Sequence, residues 1–215
     1  MNINSSLTAL SIVIPVYNSD KTIARLVDEL IEHLSLIYCL EIILVNDGSS
    51  DRSEEICISL HEKYKNIVKF YSLSKNVGEH SAVMAGLNKA ISDYVVIMDD
   101  DFQNPVSEIS KLVNAIIKNN FDVVYSYYKE KRHSSLRNAG SWFNDKVANI
   151  MLEKPKNLYL SSFKILNRFL VNEIIKYKAP FPYIDGLILQ STDKIGRVEV
   201  EHHERQQSES GYTMK

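Results

Sequence analysis

The stretch YVVIMDDDFQNP, residues 94–105, joins a short apolar run to three consecutive aspartates. The run at 94–98 is rich in β-branched residues and bounded by polar ones, which predicts a buried parallel strand. Asn104 is predicted to cap the following helix and Pro105 to open it. That helix has one apolar face: Val106, Ile109, Leu112, Val113, Ile116 and Ile117. The aspartates are therefore expected at the carboxyl end of a strand, where open α/β sheets bind ligands.

The three aspartates predict a metal site. In an extended chain, Asp99 and Asp101 project to one side and Asp100 to the other. Two ionised carboxylates about 6–7 Å apart repel by roughly 2–3 kcal/mol at an effective dielectric constant of about 20. A divalent cation converts that repulsion into binding free energy, and oxygen ligands favour Mg²⁺ or Mn²⁺. The alternative is a solvated acidic turn before a helix N-terminus, where negative charge is favourable without any metal.

The composition is that of an ordinary soluble protein, with 45% hydrophobic residues, 24% charged residues and a net charge of −2. This charge does not indicate nucleic-acid binding. Cys39 and Cys57 lie in or beside apolar segments, which predicts reduced core residues. No signal peptide and no run of about 20 apolar residues is present, so we expect a soluble chain that can still touch a membrane surface.

Strand and helix patterns alternate through the first part of the chain. Strands are predicted at residues 11–16, 41–46, 68–72, 94–98 and 122–127. Helical periodicity separates the first two strands, and Asp51 with Glu54 has the spacing of a capping pair before the second helix. The alternation predicts an α/β fold with a doubly wound, mostly parallel sheet flanked by helices.

The pattern changes after residue 128. KEKRHSSLR, residues 129–137, is basic and precedes an apolar helical pattern. One interpretation is a helix packed on the sheet with its basic start in solvent; the other is a cationic lip that holds an anionic acceptor near a lipid surface. Late strands are predicted at 163–166 and 198–203, with a helix near 168–177 and an irregular PFPYIDG segment, 180–186, between them.

Polar residues follow several predicted strands: Asn18, Asp47, Asn76 and the three aspartates. A nucleotide at this edge is expected to use Asp47 as an acceptor for a base N–H or for ribose hydroxyls. No glycine-rich loop of the GxGxxG or Walker type is present. Phosphate binding is therefore expected to depend on the metal and on basic residues late in the chain.

Four segments, in this order and spacing, resemble the GT-A fold glycosyltransferases of family 2: SIVIPVYN, ILVNDGSSD, LSKNVGEHSAVMAGL and MDDDFQNP. The chain is most similar to the polyprenyl-phosphate glycosyltransferases, the dolichol-phosphate mannosyltransferase-like group. The resemblance extends from about residue 10 to residue 212. It implies a single GT-A catalytic domain over 1–215, with a nucleotide-binding half at about 10–127 and an acceptor-side half at about 128–215.

The resemblance, together with the strand-end pattern, assigns roles to individual residues. The nucleotide is expected to contact Pro15, Tyr17, Asn18, Asp47, Asn76, Asp99, Asp100 and Arg205. The metal ligands are expected to be Asp99, Asp101 and Gln103. The acceptor is expected to contact Arg132, Arg137 and Ser141, and the catalytic residues are expected to be Asp101 and Asp185. His80 is interpreted as lining the acceptor side.

Three departures from the family pattern bear on function. Asp100 stands where a small residue is usual. Residues 208–211 read SESG, whereas relatives usually carry a Lys in the loop after the counterpart of Arg205, so one contact to the donor diphosphate is expected to be missing. Many lipid-phosphate members continue into transmembrane helices, whereas this sequence ends at Lys215. Either a truncated chain or a peripherally docked member is therefore expected.

The implied reaction is a single in-line displacement, with inversion, at the anomeric carbon of a nucleoside-diphosphate sugar, expected to be UDP-linked. The implied acceptor is polyprenyl (undecaprenyl) phosphate, in bacterial cell-surface glycan synthesis at the inner, cytoplasmic face of the plasma membrane. Such a phosphate is largely ionised at pH 7 and needs no general base.

Two alternatives stay open. A sugar hydroxyl of a glycan acceptor would need a carboxylate base, and Asp185 is the candidate for it. The other interpretation of Asp185 is a turn or capping residue before Gly186. An inactive nucleotide-sugar-binding domain is the second alternative, and a homo-oligomer is compatible with each of these functions.

Overall fold

The computed structural model describes residues 7–128, 158–201 and 203. Within these residues, one sheet contains the strands β1 (Ala9–Val16), β2 (Cys39–Asn46), β3 (Val68–Ser72), β4 (Tyr94–Ile97), β5 (Val123–Tyr127), β6 (Lys164–Asn167) and β7 (Ile195–Glu199). The helices are α1 (Ile23–Leu34), α2 (Ser53–Lys63), α3 (Glu79–Leu87), α4 (Ile109–Asn119), α5 (Arg168–Ile174) and α6 (Ile184–Ser191). A 3₁₀ turn at Val106–Glu108 leads into α4.

The strand order is β3-β2-β1-β4-β6-β5-β7. All pairs are parallel except those of β6, which runs antiparallel to both β4 and β5. The predicted α/β class with a mostly parallel sheet is confirmed. Because β6 is reversed, its first residue, Lys164, pairs with Ile97 and Tyr125 near the carboxyl ends of β4 and β5. This brings a late segment of the chain to the edge where the acidic run lies.

The core has two layers, one on each face of the sheet. Alternate residues of β1 enter different layers, with Ile12 and Ile14 on one face and Val13 on the other. On the second face, α3 lies very close to the sheet, since a Cβ at Gly86 would be 2.4 Å from Val13 Cγ1. The small residues of α3 therefore set its height above the sheet.

Several local predictions were wrong. The last strand lies at Ile195–Glu199 and not at 198–203, because it follows the parallel register with β5 that begins at Val123↔Ile195. The PFPYIDG segment is not irregular throughout, since α6 begins at Ile184. Cys57 is buried, but Cys39 is exposed at the start of β2.

The predicted cap at Asn104 is also wrong. Its Oδ1 accepts a hydrogen bond from Tyr128 Oη at 2.7 Å, and no side chain caps the turn that follows. The amide therefore ties the turn after β4 to the end of β5. No helix within residues 7–128 and 158–201 is long and apolar enough to cross a membrane.

Candidate active site

The acidic run follows β4 directly and turns instead of staying extended. Met98 still donates its main-chain N–H to Val13 O at 3.2 Å, so the sheet register lasts up to the first aspartate. Phe102 then adopts a left-handed φ of 61°. Its ring is covered by the Arg25 guanidinium of α1, whose Cζ lies 3.9 Å from the ring centroid. The turn is therefore anchored to α1 while the aspartates stay at the edge of the sheet.

Asp99 faces the acceptor-side half of the chain. Its Oδ2 accepts a hydrogen bond from Ser162 Oγ at 2.6 Å. Burial, followed by the nearby Glu79 carboxylate, raises the pKa of Asp99 to about 6, against the opposing effect of the Ser162 hydrogen bond. A carboxyl group with this pKa is one that a nearby positive charge would stabilise in its ionised form.

Asp100 faces the segment after β1. Burial raises its pKa to about 7, although a hydrogen bond with the Ser19 side chain favours the ionised form. Its Oδ2 is buried and has no hydrogen-bond partner within the described part of the chain. This oxygen is available to a ligand or to a cation.

Asp101 is 4% exposed, and its Oδ1 accepts the main-chain N–H of Gln103 at 3.1 Å. Within residues 7–128 and 158–201, no three Asp, Glu, His or Cys side chains already converge as a metal site. The donor set nevertheless fits a hard cation, because it consists of oxygen ligands, includes the buried Asp101 carboxyl and includes Asp99, whose pKa is raised. The ligand roles of Asp99, Asp101 and Gln103 therefore remain predictions.

Asp47 holds the loop between β3 and α3. It is fully buried, and its two carboxylate oxygens accept the main-chain N–H groups of Val77 at 2.8 Å and Gly78 at 2.9 Å. Gly48 lies against the same loop, since a Cβ there would be 2.6 Å from Asn76 N. Asp47 thus has a structural role that the sequence did not predict, and its role toward a nucleotide stays a prediction.

Asn18 connects the loops that follow β1 and β2. It has a left-handed φ of 55°, and its Oδ1 accepts the main-chain N–H of Ser50 at 2.9 Å. Pro15 lies within β1, and Tyr17 lies just beyond that strand. The predicted nucleotide residues of the first two strands are therefore close to one another.

A cavity of about 140 Å³ lies beside the acidic run. Its walls come from the start of α3, the end of β4, the start of β6 and the start of α6: Glu79, His80, Val83, Ile97, Leu160, Ser162, Lys164, Ile184 and Asp185. Ser162 joins the cavity to Asp99. One wall of the cavity therefore contacts a predicted metal ligand.

A buried ion pair forms one wall of this cavity. Lys164 and Asp185 are 3% and 7% exposed, and Lys164 Nζ donates to Asp185 Oδ1. Tyr125 Oη donates to the same oxygen at 2.8 Å. Burial, followed by the Asp185 charge, raises the pKa of Tyr125 well above its usual value, which keeps the phenol protonated. Asp185 therefore lies in the first turn of α6 as part of a charged network, and its interpretation as a turn or capping residue is wrong.

Glu79 and His80 begin α3 on the opposite wall. Burial raises the pKa of Glu79, against the opposing effect of the Lys164 charge. Burial lowers the pKa of His80, which favours the neutral form of its imidazole. Its ring lies 5.2 Å from that of Tyr183 in an edge-on contact. The cavity thus combines neutral and charged hydrogen-bonding groups.

The sequence did not predict Lys164, Ser162, Tyr125 or Glu79 as site residues. Lys164 could have been identified from the sequence, because a lysine inside an apolar strand pattern is expected to be buried with a partner. The predicted residues Arg132, Arg137, Ser141 and Arg205 lie outside the described residues, as does the basic segment 129–137. The main-chain N–H of His203 donates to Gln103 O at 3.0 Å, so residue 203 lies at the acidic turn.

Known glycosyltransferases are similar to this chain in sequence. The family model for glycosyl transferase family 2 matches residues 11–175. An undecaprenyl-phosphate 4-deoxy-4-formamido-L-arabinose transferase of Yersinia pestis is 29% identical over all of this chain and 65% of its own length. A protein of the same name from Photorhabdus laumondii is 31% identical over 95% of this chain and 63% of its own length. The chain thus spans just under two thirds of these relatives.

Solved structures show the same fold. Glucosyl-3-phosphoglycerate synthase of Mycobacterium tuberculosis in complex with UDP has a TM-score of 0.72 and 18% identity, over 94% of this chain and 74% of its own. Its complex with Mn²⁺, UDP-glucose and phosphoglyceric acid has a TM-score of 0.68 and 20% identity, over 94% and 73% of the two chains. The predicted resemblance to polyprenyl-phosphate glycosyltransferases is confirmed by the relatives, and the GT-A fold by these structures. This chain belongs to glycosyltransferase family 2.

Proposed function

We propose that this chain transfers a sugar from a nucleoside-diphosphate sugar to a polyprenyl phosphate, in the synthesis of a bacterial cell-surface glycan. Relatives similar over 95–100% of the chain are undecaprenyl-phosphate sugar transferases, which supports a lipid-phosphate acceptor. A structural neighbour binds UDP, which supports a uridine nucleotide. An acceptor held in a membrane supports peripheral association with the inner face of the plasma membrane.

The choice of a phosphate acceptor is based on the buried pair of Lys164 and Asp185. A hydroxyl acceptor requires a base that removes its proton. Asp185, the candidate base, already shares its Oδ1 with the Lys164 ammonium and the Tyr125 hydroxyl. A phosphate acceptor is largely ionised at pH 7 and needs no such base. The arrangement therefore favours phosphate, with Asp185 holding the cavity wall in place.

The donor is proposed to lie along the carboxyl edge of β1, β2 and β4, with its sugar in the cavity. The loops that carry Asn18 and Asp47 would contact the nucleoside. Asp99, Asp101 and Gln103 would hold a divalent cation, Mg²⁺ or Mn²⁺, which when bound stabilises the negative charge of the departing nucleoside diphosphate.

The neutral and acidic groups of the cavity would orient the sugar. Glu79, Asp185 and Ser162 offer oxygen atoms to its hydroxyls, while Lys164 offsets part of the acidic charge. Held in this position, the anomeric carbon would accept the attacking phosphate oxygen on the face opposite the leaving group. The product would then have inverted configuration.

Transfer to a sugar hydroxyl remains a second candidate because Asp185 lines the cavity and only its Oδ1 accepts the two described hydrogen bonds. Its Oδ2 would be the atom that removes the proton.

Asp185→Asn tests the two candidates. The variant leaves the Lys164 ammonium buried without its ionic partner and should lower the melting temperature. Measured well below that temperature, it should retain transfer to a short-chain isoprenyl phosphate, and Ser126→Ala, at a buried hydroxyl that pairs with Ser161, serves as a control. Loss of phosphate transfer by the folded variant would contradict the proposal. Activity on glycan hydroxyls that Asp185→Asn abolishes would favour the second candidate. Nucleotide binding without transfer to any acceptor would instead favour an inactive binding domain.

A further inference from the structure

Three exposed aromatic side chains lie on the two chain segments that enter the cavity walls. Tyr159 is 54% exposed, Phe181 is 87% exposed and Tyr183 is 42% exposed. Tyr159 directly precedes Leu160, and Tyr183 directly precedes Ile184, both of which line the cavity. We call these three residues the aromatic rim. Its position beside the cavity distinguishes it from scattered exposed apolar residues, which need no explanation.

Phe181 is held in an unusual backbone conformation. It has a left-handed φ of 58° and stands between Pro180 and Pro182. For a bulky residue this conformation is an outlier that persists where the surroundings impose it. Tyr177 Oη donates to Pro180 O at 3.1 Å, which ties the loop back to the end of α5. The loop therefore presents a large apolar ring to solvent from a constrained backbone.

The segment that precedes this ring in the chain carries two lysines and one glutamate, so its net charge is positive. Lys176 and Lys178 are both exposed, Lys176 forms an ion pair with Glu173, and Lys178 Nζ donates to Ile175 O. Aromatic rings together with lysines are the composition that protein surfaces use at the interface between lipid and water.

The opposite edge of the sheet also carries exposed apolar residues, among them Phe169, which is 53% exposed at the start of α5. Leu36 is 86% exposed and lies between α1 and β2, at the amino ends of the strands. Ile91, 77% exposed, precedes β4 at the same edge. Leu36 and Ile91 are aliphatic, and neither is among the residues that line the cavity. Leu36 is therefore a matched control for Phe181, with the same exposure on the other side of the molecule.

We propose that the aromatic rim is the surface by which this protein rests on an anionic lipid bilayer, with Phe181 inserted among the headgroups and Lys178 facing their phosphates. This inference rests on the proposed function, because a lipid-phosphate acceptor requires the transfer site to stand at the membrane surface. The rim then places the cavity wall formed by Leu160 and Ile184 next to the bilayer, where the acceptor phosphate is found.

Vesicle co-sedimentation of the 215-residue chain tests this surface. The vesicles contain phosphatidylethanolamine and phosphatidylglycerol, or phosphatidylcholine alone. Phe181→Ser should lower the partition coefficient for the anionic vesicles about tenfold, which corresponds to about 1.4 kcal/mol. Leu36→Ser should leave the partition coefficient unchanged. Equal partitioning of the two variants, or no binding of the parent protein to anionic vesicles, would overturn the proposal.

A fluorescence experiment gives an independent readout. Trp142 is the single tryptophan of the chain, so Trp142→Phe provides a silent background. Phe181→Trp in that background should be quenched by brominated lipids, and Leu36→Trp should not be. A Phe181→Trp signal that brominated vesicles leave unchanged would refute insertion.

These outcomes are separable from those of the proposed function. Transfer by the parent protein to a short, water-soluble isoprenyl phosphate is measured without vesicles. Absence of transfer there, with Phe181-dependent vesicle binding retained, would refute the acceptor while leaving the lipid surface intact. Transfer without Phe181-dependent binding would refute the lipid surface alone.

Discussion

Replacing Lys164 by methionine should destabilise this protein strongly. The substitution keeps most of the apolar stem but removes the ammonium, which leaves the buried Asp185 carboxylate without its ionic partner. Breaking a buried ion pair from one side costs about 3–5 kcal/mol. For a chain of this size the loss corresponds to a fall in melting temperature of roughly 6–20 °C.

The double substitution Lys164→Met with Asp185→Asn isolates the pair. Asparagine removes the unpaired charge and still offers an oxygen to the Tyr125 hydroxyl. Most of the lost stability should return, with a coupling energy of about 2–3 kcal/mol in a double-mutant cycle followed by urea unfolding. Lys63→Met is the control, because it removes an exposed pair with Asp28 whose side chains are 57% and 50% exposed. That change should cost far less stability than Lys164→Met, because solvent screens an exposed pair.

The cycle has clear refuting outcomes. If Lys164→Met costs no more than Lys63→Met, the pair is not held away from water as described. If the stability losses of the two single substitutions at Lys164 and Asp185 sum to that of the double variant, the two charges do not interact. Either result would also remove the argument that favours a phosphate acceptor.

Two further predictions concern the acidic run. The pKa of Asp100 is raised to about 7 in the folded protein, above its unfolded value of about 3.9. The folded protein therefore binds this proton more tightly than the unfolded chain does. The stability that results is fully present below pH 4 and is lost as the pH rises through 7. In EDTA, the stability of Asp100→Asn relative to the parent protein should therefore increase by about 2 kcal/mol or more as the pH rises from 4 to 8. Thermal unfolding at each pH measures this difference. A difference that does not change with pH would contradict the raised pKa. Asp99→Asn combined with Asp101→Asn should abolish the Mn²⁺-dependent part of UDP binding in calorimetry while the circular dichroism spectrum stays unchanged. Unchanged affinity with Mn²⁺ would refute the metal ligands.

The strands of the first half were predictable because each is a short apolar run between polar turns. The predicted third strand, 68–72, agrees with β3 at both ends, and the predicted first, second and fifth strands fall within one or two residues of β1, β2 and β5. The last strand was misplaced because GRVEV continues an apolar alternation past Glu199. Its limits depend on pairing with β5, which local sequence does not encode.

The site was predictable only in part, for a related reason. Asp47 and the three aspartates follow strands directly, so their meeting at one edge follows from a parallel sheet. Asp47 was expected to face a nucleotide, yet both of its oxygens also hold the loop at Val77 and Gly78, which are 30 and 31 residues away in the chain. Side-chain partners of this kind are set by tertiary packing.

The fold class and the acidic edge of the sheet follow from sequence, because periodicity and strand-end residues are local properties of the chain. The glycosyltransferase family was predicted from the resemblance of four motifs in their order and spacing. The partners of Asp185, by contrast, depend on tertiary packing. The pair with Lys164 joins the start of α6 to the start of β6, and the hydrogen bond from Tyr125 crosses 60 residues. Reversal of β6 brings Lys164 to the carboxyl edge, where exclusion of water makes an unpaired charge costly and so requires its partner.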